Sequence, residues 1–306
     1  MNLVKSILAA GIPVVVMLLG FGLTIAVLLR WQRKKDREQR KDPFTTDFLR
    51  VPGESSDEKI QELELELDTY VALIAAGPIL IFAIVVSQAH FGGTNQTIWH
   101  YWFFSVIAVA MTAYCASRLV QLFDKRRRLV LGRQGELATA QELDQLMLKG
   151  CRVYHDFPFD YGNIDHVVVS GSGVYAVETK ARRKPKNDKS GHVVTVDYDA
   201  GLLRFAEHVE REVFKQAETQ RRWLSKFLAS AVGEEISVES IIALPGWRIE
   251  RHGKRDRGSS TGTLVINPRD PHKFFLHPNR ELLDAKLIQR VAHQIEARCR
   301  KTKGGE

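Results

Sequence analysis

Three cysteines in 306 residues, Cys115, Cys151 and Cys299, are too few and too scattered to staple a small secreted domain. There is no Cys-x-x-Cys, and His252, His272 and His277 lack the spacing of zinc ligands, so no structural zinc is expected. No Walker-type glycine-rich lysine loop or dinucleotide fingerprint occurs, so nothing supports an NTP-driven motor. The most informative absence is of charge. No Asp, Glu, Lys or Arg lies between Ile7 and Leu29, or between Thr69 and Ser117. Averages of 44% hydrophobic and 26% charged residues conceal this division. Residues 1–123 hold 11 basic and 11 acidic side chains, whereas residues 124–306 hold 33 and 25, so the entire +8 excess lies in the second part. A plain soluble enzyme, a disordered tail protein and a collagen-like repeat are all excluded.

Residues 7–29 would make roughly 34 Å of helix at about 1.5 Å per residue, enough for a hydrocarbon core of about 30 Å. A cleaved signal peptide fits poorly, because its apolar region runs to about 7–15 residues. The second uncharged stretch suits two spans, near 70–89 and 98–120, broken at Phe91-Gly92-Gly93-Thr94-Asn95-Gln96-Thr97, where Gly and Asn supply turn conformations. Trp99, Tyr101 and Trp102 would form an interfacial belt, Arg118 could snorkel outward, and Pro78 is tolerable inside a membrane helix. The N-terminal tail carries one basic residue, Lys5, the 30–68 loop carries nine, and Lys125-Arg126-Arg127-Arg128 follows the third span. With the N-terminus outside, the strongly basic segments all fall on one side, so residues 30–68 and 124–306 are expected in the cytoplasm. The chain thus reads as a multi-pass protein of the inner (plasma) membrane with the lipid bilayer as one partner. Within the loop, Ser55-Ser56-Asp57-Glu58 has capping-box spacing and predicts a short helix over Ile60, Leu63, Leu65 and Leu67.

The remainder predicts a mixed α/β domain. Leu137, Ala140, Leu143, Leu146 and Met147 have helical spacing, with Gly150 as a stop. Strands are expected at 151–159, 163–170, 173–179, 192–198, 237–244 and 263–266, and helices at 205–228 and 281–298. Gly171-Ser172 reads as a two-residue type II′ hairpin turn. Ser170 then faces Gly173, which places Asp165 opposite Glu178, with Cβ atoms roughly 4.5–5.5 Å apart. Lys180 points to the same face. Two carboxylates and an ammonium therefore converge at one end of an apolar hairpin. A divalent ion with oxygen ligands would relieve the like charges, and a local salt bridge on a sheet edge would serve as well.

Gly135-Glu136 opening a helix, Asn163-Ile164-Asp165-His166-Val167-Val168-Val169, and Gly173-Val174-Tyr175-Ala176-Val177-Glu178-Thr179-Lys180 together resemble the nuclease-related domain (NERD) family. That family is part of the PD-(D/E)XK superfamily of restriction-endonuclease-like folds. The resemblance implies a restriction-endonuclease-like mixed sheet flanked by helices, here preceded by three transmembrane helices. It also implies Mg²⁺, or Mn²⁺, held by Asp165 and Glu178, and Lys180 acting on the attacking water and the phosphate. Glu136 would be an outer carboxylate, and Gln216 the helix glutamine beside the metal, although many relatives have Asn-Pro shortly before it. Without the resemblance, Glu136 in a first helical turn suits the macrodipole, and Gln216 with Gln220 suits a solvated face. Arg182, Arg183, Lys184 and Lys186 follow Lys180, where a loop could track a phosphate backbone; a solvated turn has the same composition. Arg251–Gly258 is a similar basic loop.

Two functions follow as expectations. One is a membrane-anchored, metal-dependent nuclease that hydrolyses phosphodiester bonds of DNA, ahead of RNA. The other is a catalytically weak nuclease fold serving as a membrane-tethered nucleic-acid-binding or scaffold module.

Overall fold

The computed structural model describes residues 20, 23–24, 26–31, 48–91, 98–185, 192–255, 262–277 and 283–300. It falls into two compact units, 1–46 with 63–124, and 47–62 with 125–306.

In the first unit, two helices account for the second uncharged stretch. Helix α1 spans Glu54–Phe91 and helix α2 spans Ile98–Asp144. Among the described residues these two are long and apolar enough to cross a membrane. Ile79, Phe82, Trp99, Val106 and Val109 are all exposed on them, an apolar surface that water would not favour. Of the expected first span, 7–29, only residues 20, 23, 24 and 26–29 are described, and these are helical; the rest lies outside the described residues. So does the expected turn at 92–97. Arg118 comes within 3.9 Å of Glu66.

Both helices are longer than the sequence reading allowed. The helix expected near Ser55 does begin, at Glu54, but does not stop, because no Gly or Pro interrupts 54–76. Ser55 lies inside it rather than at its cap. Ile60, Leu63 and Leu67 are buried and Leu65 exposed, which turns the mixed period into an ordinary helical stripe. Likewise the helix expected from Gly135 is the end of α2. Gly135 does not break it; a Cβ there would lie 2.5 Å from Ala181 Cβ, so this glycine lets helix and strand end approach. A 3₁₀ turn, Gln145–Lys149, follows and ends at Gly150, φ 86°.

The second unit contains β1 (Arg152–Phe159), β2 (Gly162–Ser170), β3 (Gly173–Thr179), β4 (Val193–Asp197), β5 (Leu202–Arg204), β6 (Val209–Glu210), α3 (Glu212–Val232), β7 (Val238–Ala243), β8 (Arg248–His252), β9 (Leu264–Ile266), α4 (His272–Phe275) and α5 (Ala285–Cys299). The main sheet has the order β1-β2-β3-β7-β9 and is mixed: antiparallel through β3, parallel from β3 to β9. A second sheet, β6-β5-β4-β8, was not foreseen. Residues 205–211, expected as helix, instead contain β6 and its turn, and α3 begins at Glu212. Part of the expected basic loop is β8, and residues 256–258 lie outside the described residues. The closing helix starts at Ala285, where Asp284 caps it by accepting a 2.7 Å bond from Leu287 N–H.

The β2–β3 hairpin has the expected register, Ser170 opposite Gly173 and His166 opposite Val177. Its turn is not type II′: Gly171 is not left-handed, and the positive φ belongs to Gly173, at 136°. Every residue of β3 is buried because both sheet faces are covered. On one face Val167, Val169, Val174 and Ala176 pack against Leu224 and Leu228 of α3 and Val291 and Ile295 of α5. On the other, Val168, Tyr175 and Val177 pack against Leu143, Leu146 and Phe275. Each such Val, Leu or Ile side chain contributes about 1.5–3 kcal/mol by leaving water.

Candidate active site

The site forms where three apolar stripes turn polar at the same end. On β2 the alternating face runs Val169, Val167, Asp165, Asn163; on β3 it runs Val174, Ala176, Glu178, and Lys180 follows. On α3 the i, i+4 stripe runs Leu228, Leu224, Gln220, Gln216. The apolar halves make the core, and this leaves the polar halves against one another.

Glu178, 3% exposed, is the hub. Its Oε1 accepts from Gln216 Nε2 at 2.7 Å and pairs with Lys180 Nζ at 2.9 Å, and its Oε2 accepts from Gln220 Nε2 at 2.6 Å. Lys180 also donates to Gln216 Oε1 at 3.0 Å. Asp165 accepts from Thr179 N–H through Oδ2 at 2.7 Å, while Asn163 Nδ2 lies 3.4 Å from its Oδ1. Glu136, buried on α2, accepts from Ser56 Oγ through Oε1 at 2.9 Å; its Oε2 is buried with no hydrogen-bond partner among the described residues.

Burial, then the Glu178 and Glu136 carboxylates, push the Asp165 carboxyl well above the ordinary range, against the Thr179 N–H and Lys180. Burial likewise raises Glu136; the Ser56 hydrogen bond opposes it, and Asp156 and Glu178 add to it. Burial works against the Lys180 ammonium, but Glu178 outweighs it, with help from Asp165 and Glu210, so Lys180 is raised and stays protonated. Three carboxyls and one ammonium thus share a field with excess negative charge.

The structure brings Asp165, Glu178, Lys180, Gln216 and Glu136 into this one region. It does not bring the basic residues of the following loop into it as a free group. Arg182 is engaged by Glu210, Arg183 is exposed, and Lys184 Nζ lies 5.8 Å from the Trp247 ring centroid. Lys186 lies outside the described residues.

Sequence reasoning missed several members. Gln220 is 1% exposed, not on a solvated face, and its i+4 spacing from Gln216 was the available signal. Asn163, two residues before Asp165, shares its face and donates to buried Asp156 Oδ1 at 2.8 Å. His166, in the quoted string, points to the opposite face. There its Nε2 is 3.2 Å from Thr179 Oγ1 and its Nδ1 2.9 Å from His155 Nδ1. Burial, then His155, hold its pKa well below the usual imidazole value, so it braces the strand as a neutral ring.

For a divalent cation the donor chemistry fits in part. Asp165 Oδ1 has one long contact, and Glu178 Oε2 retains a lone pair beyond its bond to Gln220. Among the described residues, no group of three His, Cys, Asp or Glu side chains is placed to hold a metal ion. Two carboxylates suffice for Mg²⁺, which keeps several waters and takes further oxygens from substrate phosphates.

No curated protein and no solved structure matches this chain. The model of the nuclease-related domain family matches residues 131–245, from the end of α2 through β7, a stretch that holds every one of the site residues named from the sequence.

Proposed function

We propose that this protein is a membrane-anchored nuclease that hydrolyses phosphodiester bonds of DNA, ahead of RNA, with Mg²⁺ or Mn²⁺ held by Asp165 and Glu178. The observation that carries the reading is the cluster of buried Asp165 and Glu178 with half-buried Lys180, its Asp165 carboxyl raised by burial and then by the Glu178 and Glu136 carboxylates, inside the family-matched region. Structural ion pairs need no such like-charge conflict, whereas a cation site does. When bound, the ion would polarise the phosphate and lower the pKa of water.

The protein's own groups then have separable tasks. Gln216 and Gln220 hold both oxygens of Glu178 and fix its rotamer. Lys180, kept protonated, serves as a charge and hydrogen-bond donor to a phosphoryl oxygen or the attacking water rather than as a base. Glu136 adds outer negative charge. Arg182, Arg183, Lys184 and Lys186 would follow the phosphate backbone, once Arg182 exchanges Glu210 for phosphate. Nine Lys and Arg residues in the 30–68 loop and the Lys125–Arg128 run, against Lys5 alone in the N-terminal tail, support an N-terminus outside and a cytoplasmic second unit at the inner membrane.

A scaffold or nucleic-acid-binding module is the second reading. It is favoured by the engagement of both Glu178 oxygens and by the absence of a three-residue ligand group among the described residues. Incubating the full chain in detergent with plasmid DNA and, separately, RNA decides between them. The nuclease reading expects Mg²⁺-dependent cleavage, stronger on DNA, that Lys180→Ala lowers by about 100- to 1,000-fold. Retention of DNA without cleavage in either metal favours the scaffold.

A further inference from the structure

Residues 47–62 belong to the same compact unit as 125–306, although the apolar stretch separates them in the chain. They are fastened at several points. Leu49 bridges to Arg300, and Arg50 N–H donates to the Cys299 carbonyl at 3.1 Å. Arg50 Nη1 and Ser55 Oγ both donate to Asp156 Oδ2, at 2.5 and 2.8 Å. Ser56 Oγ donates to Glu136, as described above. Gly53, φ 73°, sits against the site: a Cβ there would come 3.1 Å from Arg133 Cγ and 3.4 Å from Glu136 Oε2.

Two hydrogen-bonded threads therefore run from this strap to the carboxylates. One is Ser56 to Glu136. The other passes from Arg50 and Ser55 to Asp156, then through the Asn163 amide to Asp165. Asp156 is wholly buried and has φ 49°, a conformation that non-glycine residues adopt only when their surroundings enforce it. A buried carboxylate of this kind is strongly unfavourable without a partner, and Arg50 supplies the charge.

We propose that residues 49–57 form an integral strap of the active site, in which Ser56 positions Glu136, and Asp156, held by Arg50 and Ser55, positions Asp165 through Asn163. The inference rests on the nuclease reading and extends it. None of these residues touches the phosphate; they act through the carboxylates they hold. The strap also opens α1, whose single helix continues into the apolar stretch, so one covalent element carries both Ser56 and the expected membrane span. A fragment cut at residue 124 would lack the Ser56, Ser55 and Arg50 partners of Glu136 and Asp156.

The test uses the full chain in detergent, with Ser56→Ala, Ser56→Thr and Glu178→Gln beside the wild type. Two quantities are read: kcat and KM for DNA cleavage, and, without DNA, the Mn²⁺ concentration giving half of the metal-induced rise in melting temperature. Loss of a group that holds a metal ligand costs about 10- to 100-fold in metal affinity or activity, and Ser56, acting one step further out through Glu136, belongs at the lower end, about 10-fold. Ser56→Ala should therefore lower kcat by about 10-fold with KM unchanged, and raise the half-saturating Mn²⁺ concentration. Ser56→Thr should restore both. If Ser56→Ala matches the wild type in both while Glu178→Gln is inactive, the strap proposal fails and the nuclease reading stands. A wild type that neither cleaves DNA nor responds to Mn²⁺ overturns both.

Discussion

Replacing Asp165 by Asn tests the like-charge conflict at its centre. The amide keeps the shape of the carboxyl, and its oxygen can still accept the 2.7 Å bond from Thr179 N–H. That bond passes from charge-assisted, about 1.5–3 kcal/mol, to neutral, about 0.5–1.5 kcal/mol, a loss of about 1 kcal/mol. Against this, an ionised carboxylate with 9% exposure is no longer buried beside Glu178 and Glu136. The effective penalty for such a charge is several kcal/mol. The second term is larger, so in EDTA the variant should be more stable by about 1–3 kcal/mol. For a unit of this size, at about 2–4 °C per kcal/mol, that is a rise of about 2–12 °C in melting temperature. Mg²⁺ should stabilise the wild type and leave the variant unmoved, closing or reversing the gap. Melting of the full chain, followed by circular dichroism in EDTA and in millimolar Mg²⁺, reads all four values. A variant that melts below the wild type in EDTA, with no Mg²⁺ effect on either, would show that Asp165 is a satisfied structural carboxylate and not half of a cation site.

The same conflict sets a pH dependence. Asp165 and Glu136 are held above the ordinary carboxylate range, mainly by burial, so the folded state keeps protons that the unfolded chain has released. Their contribution to stability is present at low pH and is lost as pH rises from about 4 through the raised values. In EDTA the advantage of Asp165→Asn over the wild type should therefore widen from about pH 4 towards neutrality, as melting curves across that range would show. Lys180→Ala should reduce cleavage by about 100- to 1,000-fold, the usual cost of losing one transition-state donor, with little change in metal half-saturation. If Lys180 only pairs with Glu178, its loss would instead lower the melting temperature and make Mg²⁺ irrelevant. DNA binding in EDTA should weaken steeply with salt, with a log–log slope of about −0.9 per phosphate neutralised; a flat dependence would mean that the +8 excess is not used for DNA. A reporter active only in the periplasm should give signal when placed within residues 92–97 and none when fused after Glu306.

The parts of the fold that were legible in the sequence are those with strict local periods. The β2–β3 register followed from a two-residue connection between β-branched runs, and it correctly put Ser170 opposite Gly173, even though the turn type inferred from Gly171 was wrong. The second sheet escaped because β5 and β6 have three and two residues, too few to show alternation. Phe205 and the charged residues around Glu207–Arg211 were then absorbed into the helical pattern that continues in α3. The length of α2 was hidden by Gly135, which reads as a punctuator but is there so that Ala181 can approach. At the site, the sequence named charged groups and one amide. Gln220 reads locally as part of a solvated face, although its i+4 spacing from Gln216 and its place on the Leu224 and Leu228 stripe put it on the buried side. The sequence could not name Ser56 or Arg50, whose partners Glu136 and Asp156 lie 80 and 106 positions away. Long-range hydrogen bonds of this kind leave no local pattern.

Whether Asp165 and Glu178 together hold a divalent ion used to cleave DNA is decided by single-turnover cleavage of plasmid DNA by the full chain across a Mg²⁺ series, with wild type and Glu178→Gln side by side. Glu178→Gln keeps the size of the hub but removes the charge to which Gln216, Gln220 and Lys180 are directed. The expected result is saturable, Mg²⁺-dependent cleavage by the wild type and none by the variant at any Mg²⁺ concentration. Equal cleavage by both proteins, or cleavage by neither, would contradict it.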